Sequence, residues 1–140
     1  MKSVNVTWVA FLQEGRSFRK TAQGSVRRPE IFTPAIIQNI VAMGIEKYFM
    51  AIFTHRGILP RNHTMTDLLE EAEETFAIGS ETAETLRYMD SLQRICSIDD
   101  WRVSPPKADD VGRFLSALEE IADLAESELS AEAGACGTMP

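Results

Sequence analysis

Residues 38–69, QNIVAMGIEKYFMAIFTHRGILPRNHTMTDLL, decide the fold. A long apolar segment runs into a short Gly/Pro break that contains both histidines of the chain, His55 and His63. A second, polar-capped segment follows. Just upstream, Thr33-Pro34 has the form of an N-cap followed by proline at the first helical position. From there apolar pairs recur every four residues: Ile36/Ile37, Ile40/Val41, Gly44/Ile45, Tyr48/Phe49 and Ile52/Phe53. A step of four residues advances ~400°, so the stripe drifts ~40° per step around the helix. Such a wide stripe predicts a central helix covered by several neighbours. Gly57 and Pro60 signal its end. Thr64 and Asp67 then open a third helix as a capping-box-like pair. Leu68, Leu69, Ala72 and Phe76 are its expected apolar side, and Glu70, Glu71, Glu73 and Glu74 its wet side.

Outward from this segment the pattern stays helical. Val4, Trp8, Phe11, Leu12 and Phe18 share one face of a first helix expected from about Val4 to Ala22, with Gly15 as a weak point. A fourth helix is expected from Glu81 to Cys96, introduced by Gly79-Ser80, and a fifth from Ala108 to Ala131. No strand signal and no internal repeat is found. The expectation is all-α: a five-helix up-and-down antiparallel bundle, one domain over 1–131, with residues 132–140 as a flexible tail.

Composition narrows the function. The chain has 140 residues, 44% hydrophobic and 25% charged, with net charge −7. One domain of that size buries a sufficient core. An acidic chain is not a general nucleic-acid binder. Two cysteines without metal-ligand spacing, Cys96 and Cys136, predict a reducing, cytoplasmic setting. The first residues, MKSVNVTWVAFLQEGR, lack a signal-peptide core, and no uninterrupted apolar stretch reaches the length of a membrane span.

The residues with chemistry cluster around the break. His55 and His63 bracket it, with Arg56 and Arg61 between them. An imidazole and a guanidinium together can serve RNA cleavage, one moving the 2′-hydroxyl proton and the other holding phosphate. The structural alternative has His63 at a helix entrance, with His55 and Arg56 on the last carbonyls of the central helix. Arg16, Arg19 and Lys20 share one helical side. They read as a phosphate stripe, as a surface for an acidic partner, or as a face meeting the acidic third helix of the same or another subunit. Cys96 falls in the apolar series of its helix and reads as core. Trp101 either stacks a base or plugs the bundle end. A di-metal bundle would need Glu-x-x-His, which is absent, so neither metal nor cofactor is expected. Gly-rich phosphate loops and a nucleophile elbow are also absent.

Taken together, AMGIEKYFMAIF with Glu46 and Lys47, RGILPRN with Gly57 and Pro60, and HTMTDLL with His63, Leu68 and Leu69 resemble a HEPN domain. The likeness extends from about Val4 to Leu129 and includes the long last helix DDVGRFLSALEEIADLAE. The resemblance implies a helical bundle that forms a homodimer. It further implies a noncatalytic module that binds a nucleotide or a protein partner, often paired with a nucleotidyltransferase in toxin–antitoxin systems. Other members resemble metal-independent endoribonucleases, whose signature is an arginine followed within several residues by a histidine. Carried onto this chain, that signature assigns catalysis to Arg56 and His63, with Arg61, Lys47 and His55 as nucleotide- or phosphate-binding residues. Gly57 and Pro60 inside the motif, and its position after the second helix, depart from the pattern. A helical assembly subunit without a ligand is the remaining expectation, and a nucleotide or RNA is a candidate binding partner.

Overall fold

The computed structural model of the chain describes residues 2–60, 62–94 and 106–138. They form α1 (Lys2–Ser25), α2 (Pro34–Arg56), α3 (Met65–Glu73), α4 (Ser80–Arg94) and α5 (Ala108–Thr138). No strand occurs among the described residues. The central helix begins and ends as its sequence dictates. Thr33 Oγ1 accepts a hydrogen bond from the Ile36 amide at 3.3 Å, and Pro34 supplies the first helical residue. At the other end Gly57 adopts φ 74°, a left-handed conformation that an L side chain resists. Its amide bonds back to Thr54 O, and the next amide, Ile58, to Phe53 O at 2.8 Å. Two carbonyls left open by the helix end are thereby satisfied.

α2 is the spine of the bundle. Ile45, Tyr48, Phe49, Ile52 and Phe53 are fully or almost fully buried. Each such side chain stabilises the fold by about 1.5–3 kcal/mol. α1 packs antiparallel to α2: Trp8 meets His55, Gly15 meets the Tyr48 ring, and Phe18 meets Gly44. α5 runs parallel to α2, from Leu118 beside Gly44 to Glu128 beside Arg56. Both glycines therefore mark close approaches. A Cβ built on Gly44 would lie 3.1 Å from Leu118 Cδ1 and 3.2 Å from Phe18 Cβ. One on Gly15 would lie 3.1 Å from the Tyr48 ring. Gly15, a weak point by helix propensity, is what lets α1 settle onto that ring.

The short α3 is reached by a return loop and starts beside the middle of α2, where Met65 joins Ala42, Met43 and Glu46. Thr64 caps it, accepting from the Asp67 amide at 3.1 Å and donating to Asp67 Oδ2 at 2.7 Å. It ends at Glu73, so Phe76 lies beyond the helix rather than on its apolar side, and covers the end of α2 from there. α4 runs antiparallel to α5, from Gly79 near Glu120 to Tyr88 near Asp110. Of the described helices, α2 is long and apolar enough to cross a membrane by length and composition. Most of its apolar side chains face α1, α3 and α5, with twelve of its residues buried, while Ile36 and Met43 stay exposed. α5 continues to Thr138, past the end expected at Ala131, so residues 132–138 carry helical backbone rather than opening a tail there. Cys96 and Trp101 lie outside the described residues.

Candidate functional site

His63 stands at the entrance to α3, two residues before its first helical residue, and its side chain is half exposed. Its Nδ1 lies 3.2 Å from Glu46 Oε2 of α2. The pair bridges one end of a groove of about 310 Å³ lined by Asn39, Ala42, Met43, Glu46, His63 and Met65. The cap at Thr64 sets this geometry: it fixes the chain direction into α3 and turns the preceding residue toward α2.

Arg56 faces another side. Its guanidinium is ion-paired with Glu128 of α5 and lies 4.8 Å from the Phe76 ring centroid. Ten residues separate Arg56 from Glu46, about 15 Å along the helix axis and about 80° around it. Arg56 and His63 are thus each held by a separate carboxylate on a different part of the bundle. The sequence alternative for His55 and Arg56, contact with the last carbonyls of α2, is not what the structure shows. The amides of Gly57 and Ile58 take those carbonyls. The His55 ring instead meets Trp8 edge-on, 5.1 Å between centroids at 78°, with Nδ1 buried and without a hydrogen bond among the described residues. Lys47 pairs with Glu14 of α1 at 3.5 Å and lies 5.3 Å from the Phe11 ring centroid. Arg61 lies outside the described residues. The structure therefore gives the described residues named from the sequence separate partners: Trp8 for His55, Glu14 for Lys47, Glu128 for Arg56 and Glu46 for His63.

Two of the three residues of the basic stripe of α1, Arg16 and Arg19, are consumed inside the fold. Arg16 makes a two-pronged pair with Glu126 of α5, at 2.6 Å on each prong. Arg19 grips Glu119 at 2.5–3.2 Å and approaches Asp123 at 3.6 Å, while Gln23 donates to Glu119 at 3.0 Å. The acidic partner is α5 of the same chain, not the third helix. Spacing on α1 alone cannot reveal this, because the partners are about a hundred residues away in sequence. Hydrogen bonding from Arg19 holds the Glu119 carboxyl below the usual carboxylate range, and the Glu119 carboxylate in turn pushes Arg19 up. Beneath them the buried Tyr48 hydroxyl has no hydrogen-bond partner among the described residues, and burial raises its pKa, with Arg16 and Arg19 opposing that rise.

Two carboxylates with structural duties were not singled out from the sequence. Glu120 of α5 accepts from the Gly79 amide at 2.7 Å and from Thr82 Oγ1 at 2.8 Å, capping α4 from across the bundle. The buried Asp90 accepts from the Thr66 amide at 3.3 Å and from the Thr66 hydroxyl, at the positive end of α3. Neither carries a local motif, since each caps a helix other than its own. Beside Glu120 the α4–α5 crossing leaves a second groove of about 670 Å³, whose lining includes Glu81, Glu84, Asp109, Arg113 and Glu120. Among the described residues no three His, Cys, Asp or Glu side chains converge as a metal site.

No family model and no curated protein matches the chain. The crystal structure of TT1696 from Thermus thermophilus is similar, with TM-score 0.65 and 18% identity, over 86% of this chain and 97% of that one. At that identity the likeness bears on the fold, and it agrees with an all-α bundle.

Proposed function

We propose that this chain is a noncatalytic helical module of the HEPN type, a cytoplasmic homodimer that binds a nucleotide or a protein partner. A nucleotidyltransferase-type protein, as in toxin–antitoxin pairs, is the partner the resemblance suggests. The observation that carries the noncatalytic reading is the separate engagement of Arg56 and His63. A ribonuclease needs imidazole and guanidinium to converge on one phosphate. Here Arg56 is neutralised by Glu128 and stacked on Phe76, while His63 pairs with Glu46. The two anchor points on α2 are about three turns apart.

One feature favours the alternative, a metal-independent endoribonuclease. His63 is half exposed at a groove, and a carboxylate lies within reach of one ring nitrogen. That is the arrangement that orients a general acid–base histidine.

Incubation of the purified protein with structured and unstructured RNAs in EDTA separates the two. The expected result is no cleavage. Cleavage that His63→Ala abolishes, with the helical signal retained, overturns the noncatalytic reading. A nucleotide panel read by thermal shift tests ligand binding, since a ligand of the native state raises the melting temperature by mass action. If no nucleotide shifts it and no partner co-purifies, the binding reading fails and an assembly subunit remains.

A further inference from the structure

The salt bridges of α1 leave a residue of positive charge at one end of the bundle. Arg16 and Arg19 are taken by α5, but Lys20 and Arg27 have no ion pair among the described residues. Arg28 reaches only Glu30, at 3.9 Å, and both side chains are exposed. These arginines sit on the turn between α1 and α2. Its backbone is fixed by the bonds Arg27 N to Gly24 O, Arg28 N to Ser25 O, and Ile31 N and Phe32 N to Arg28 O. Val26 and Ile31 flank them along the turn and Ile36 lies in the first turn of α2; these three are 53%, 47% and 41% exposed. Exposed aliphatic side chains interleaved with arginine on a rigid turn have the composition of a protein interface, and a rigid turn loses little entropy on docking.

The opposite charge lies unspent on the same molecule. Glu81 and Glu84 of α4 and Asp109 of α5 line the 670 Å³ groove and have no ion pair among the described residues. Glu120 there is committed to capping α4, and Arg113 lies near Asp110 and over the Tyr88 ring. The groove is in the size range that accepts several side-chain-sized groups. Asp109 lies in the first turn of α5 and the basic turn leads into α2, and these two helices run parallel, so the Asp109 end of the groove lies at the same end of the bundle as the turn, while its Glu81 end reaches toward Glu120 at the middle of the bundle.

We propose that the α1–α2 turn of one copy, through Arg27 and Arg28, docks in the α4–α5 groove of a second copy against Glu81, Glu84 and Asp109. A two-fold axis makes the contact twice and satisfies both surfaces of each protomer at once. This rests on the dimeric reading above and names its interface. The turn is one that an acidic protein surface fits, and the chain itself carries such a surface.

The test is solution mass by sedimentation equilibrium at micromolar concentration and low salt. Wild-type protein is expected at twice the 15.6 kDa chain mass, with weaker association as added salt screens the contact. Arg27→Glu/Arg28→Glu and Glu81→Lys/Glu84→Lys are each expected to weaken self-association at least tenfold, with helical signal unchanged. An equimolar mixture of the two is expected to regain the dimer. In the mixed dimer one contact pairs the reversed turn with the reversed groove, and the other is wild type. Should the groove variant lose helical signal, Glu84→Lys alone, mixed with Arg27→Glu, makes the same comparison. A wild-type dimer that both variants leave intact, or a mixture that stays monomeric, overturns this interface without touching dimerisation. Monomeric wild-type protein overturns the dimeric reading as well.

Discussion

Replacing Gly44 with alanine tests the packing at the heart of the bundle. In an open helix this change stabilises by about 1 kcal/mol, because alanine loses less backbone freedom on folding. At Gly44 the new methyl would lie 3.1 Å from Leu118 Cδ1 and 3.2 Å from Phe18 Cβ. The leucine methyl can rotate away. The phenylalanine Cβ is fixed to the α1 backbone, so relief there requires α1 to move. Overpacking of this kind costs about 1–3 kcal/mol. Set against the propensity gain of about 1 kcal/mol, the expected result is a net loss of up to about 2 kcal/mol, or a fall in melting temperature of up to about 8 °C for a domain of this size. Gly112→Ala on α5 is the internal control, because no described residue lies within 4 Å of its Cβ position. It should raise the melting temperature by a few degrees. Both are read by thermal unfolding followed by circular dichroism, with urea titration to separate stability from changes in compactness. Gly44→Ala as stable as Gly112→Ala would refute the reasoning, since α1 and α5 would not then close against α2 at that point.

The remaining predictions concern polar groups. Glu120→Ala removes an acceptor for the Gly79 amide and the Thr82 hydroxyl. It should lower stability by about 1–2 kcal/mol in urea titration, Glu120→Gln by less. Asp90→Ala leaves the Thr66 amide unpaired at the entrance to α3, and should cost about 1–3 kcal/mol by the same measurement. Stability should fall at both pH extremes. Glu119, held low chiefly by hydrogen bonding from Arg19, contributes above about pH 4.3, and that contribution is lost as pH falls through its lower native value. Tyr48, held high by burial, contributes below about pH 10, and that contribution is lost as pH rises through its raised native value. Glu119→Gln should flatten the acid side of the urea-midpoint profile and leave the alkaline side in place.

The helices were legible because their signals are local. Thr33-Pro34, Gly57 and the Thr64/Asp67 pair each act within one turn of chain, and each does in the structure what its sequence implies. The drifting stripe of α2 also read correctly as a helix covered from several sides, because burial imposes that periodicity directly. Groups whose partners are distant were not legible. Nothing near Arg16 or Arg19 announces Glu126 or Glu119. Glu120 and Asp90 resemble ordinary wet-face carboxylates until the fold carries them to the starts of α4 and α3. Gly15 showed only its cost in propensity, since its benefit depends on a tyrosine ring from another helix. The same limit governs the candidate site. His55, Arg56 and His63 are neighbours along the chain, and α2 together with the return loop turns that proximity into separate partners, Trp8, Glu128 and Glu46.

Native-state hydrogen exchange on α2 tests the central claim most directly. If this helix is the shared spine, its amides from Val41 to Phe53 should exchange only through global unfolding, with one common free energy equal to that from urea titration. Exchange of those amides at the rates of the exposed α1–α2 turn would show that α2 is not enclosed by α1, α3 and α5, and would contradict the account.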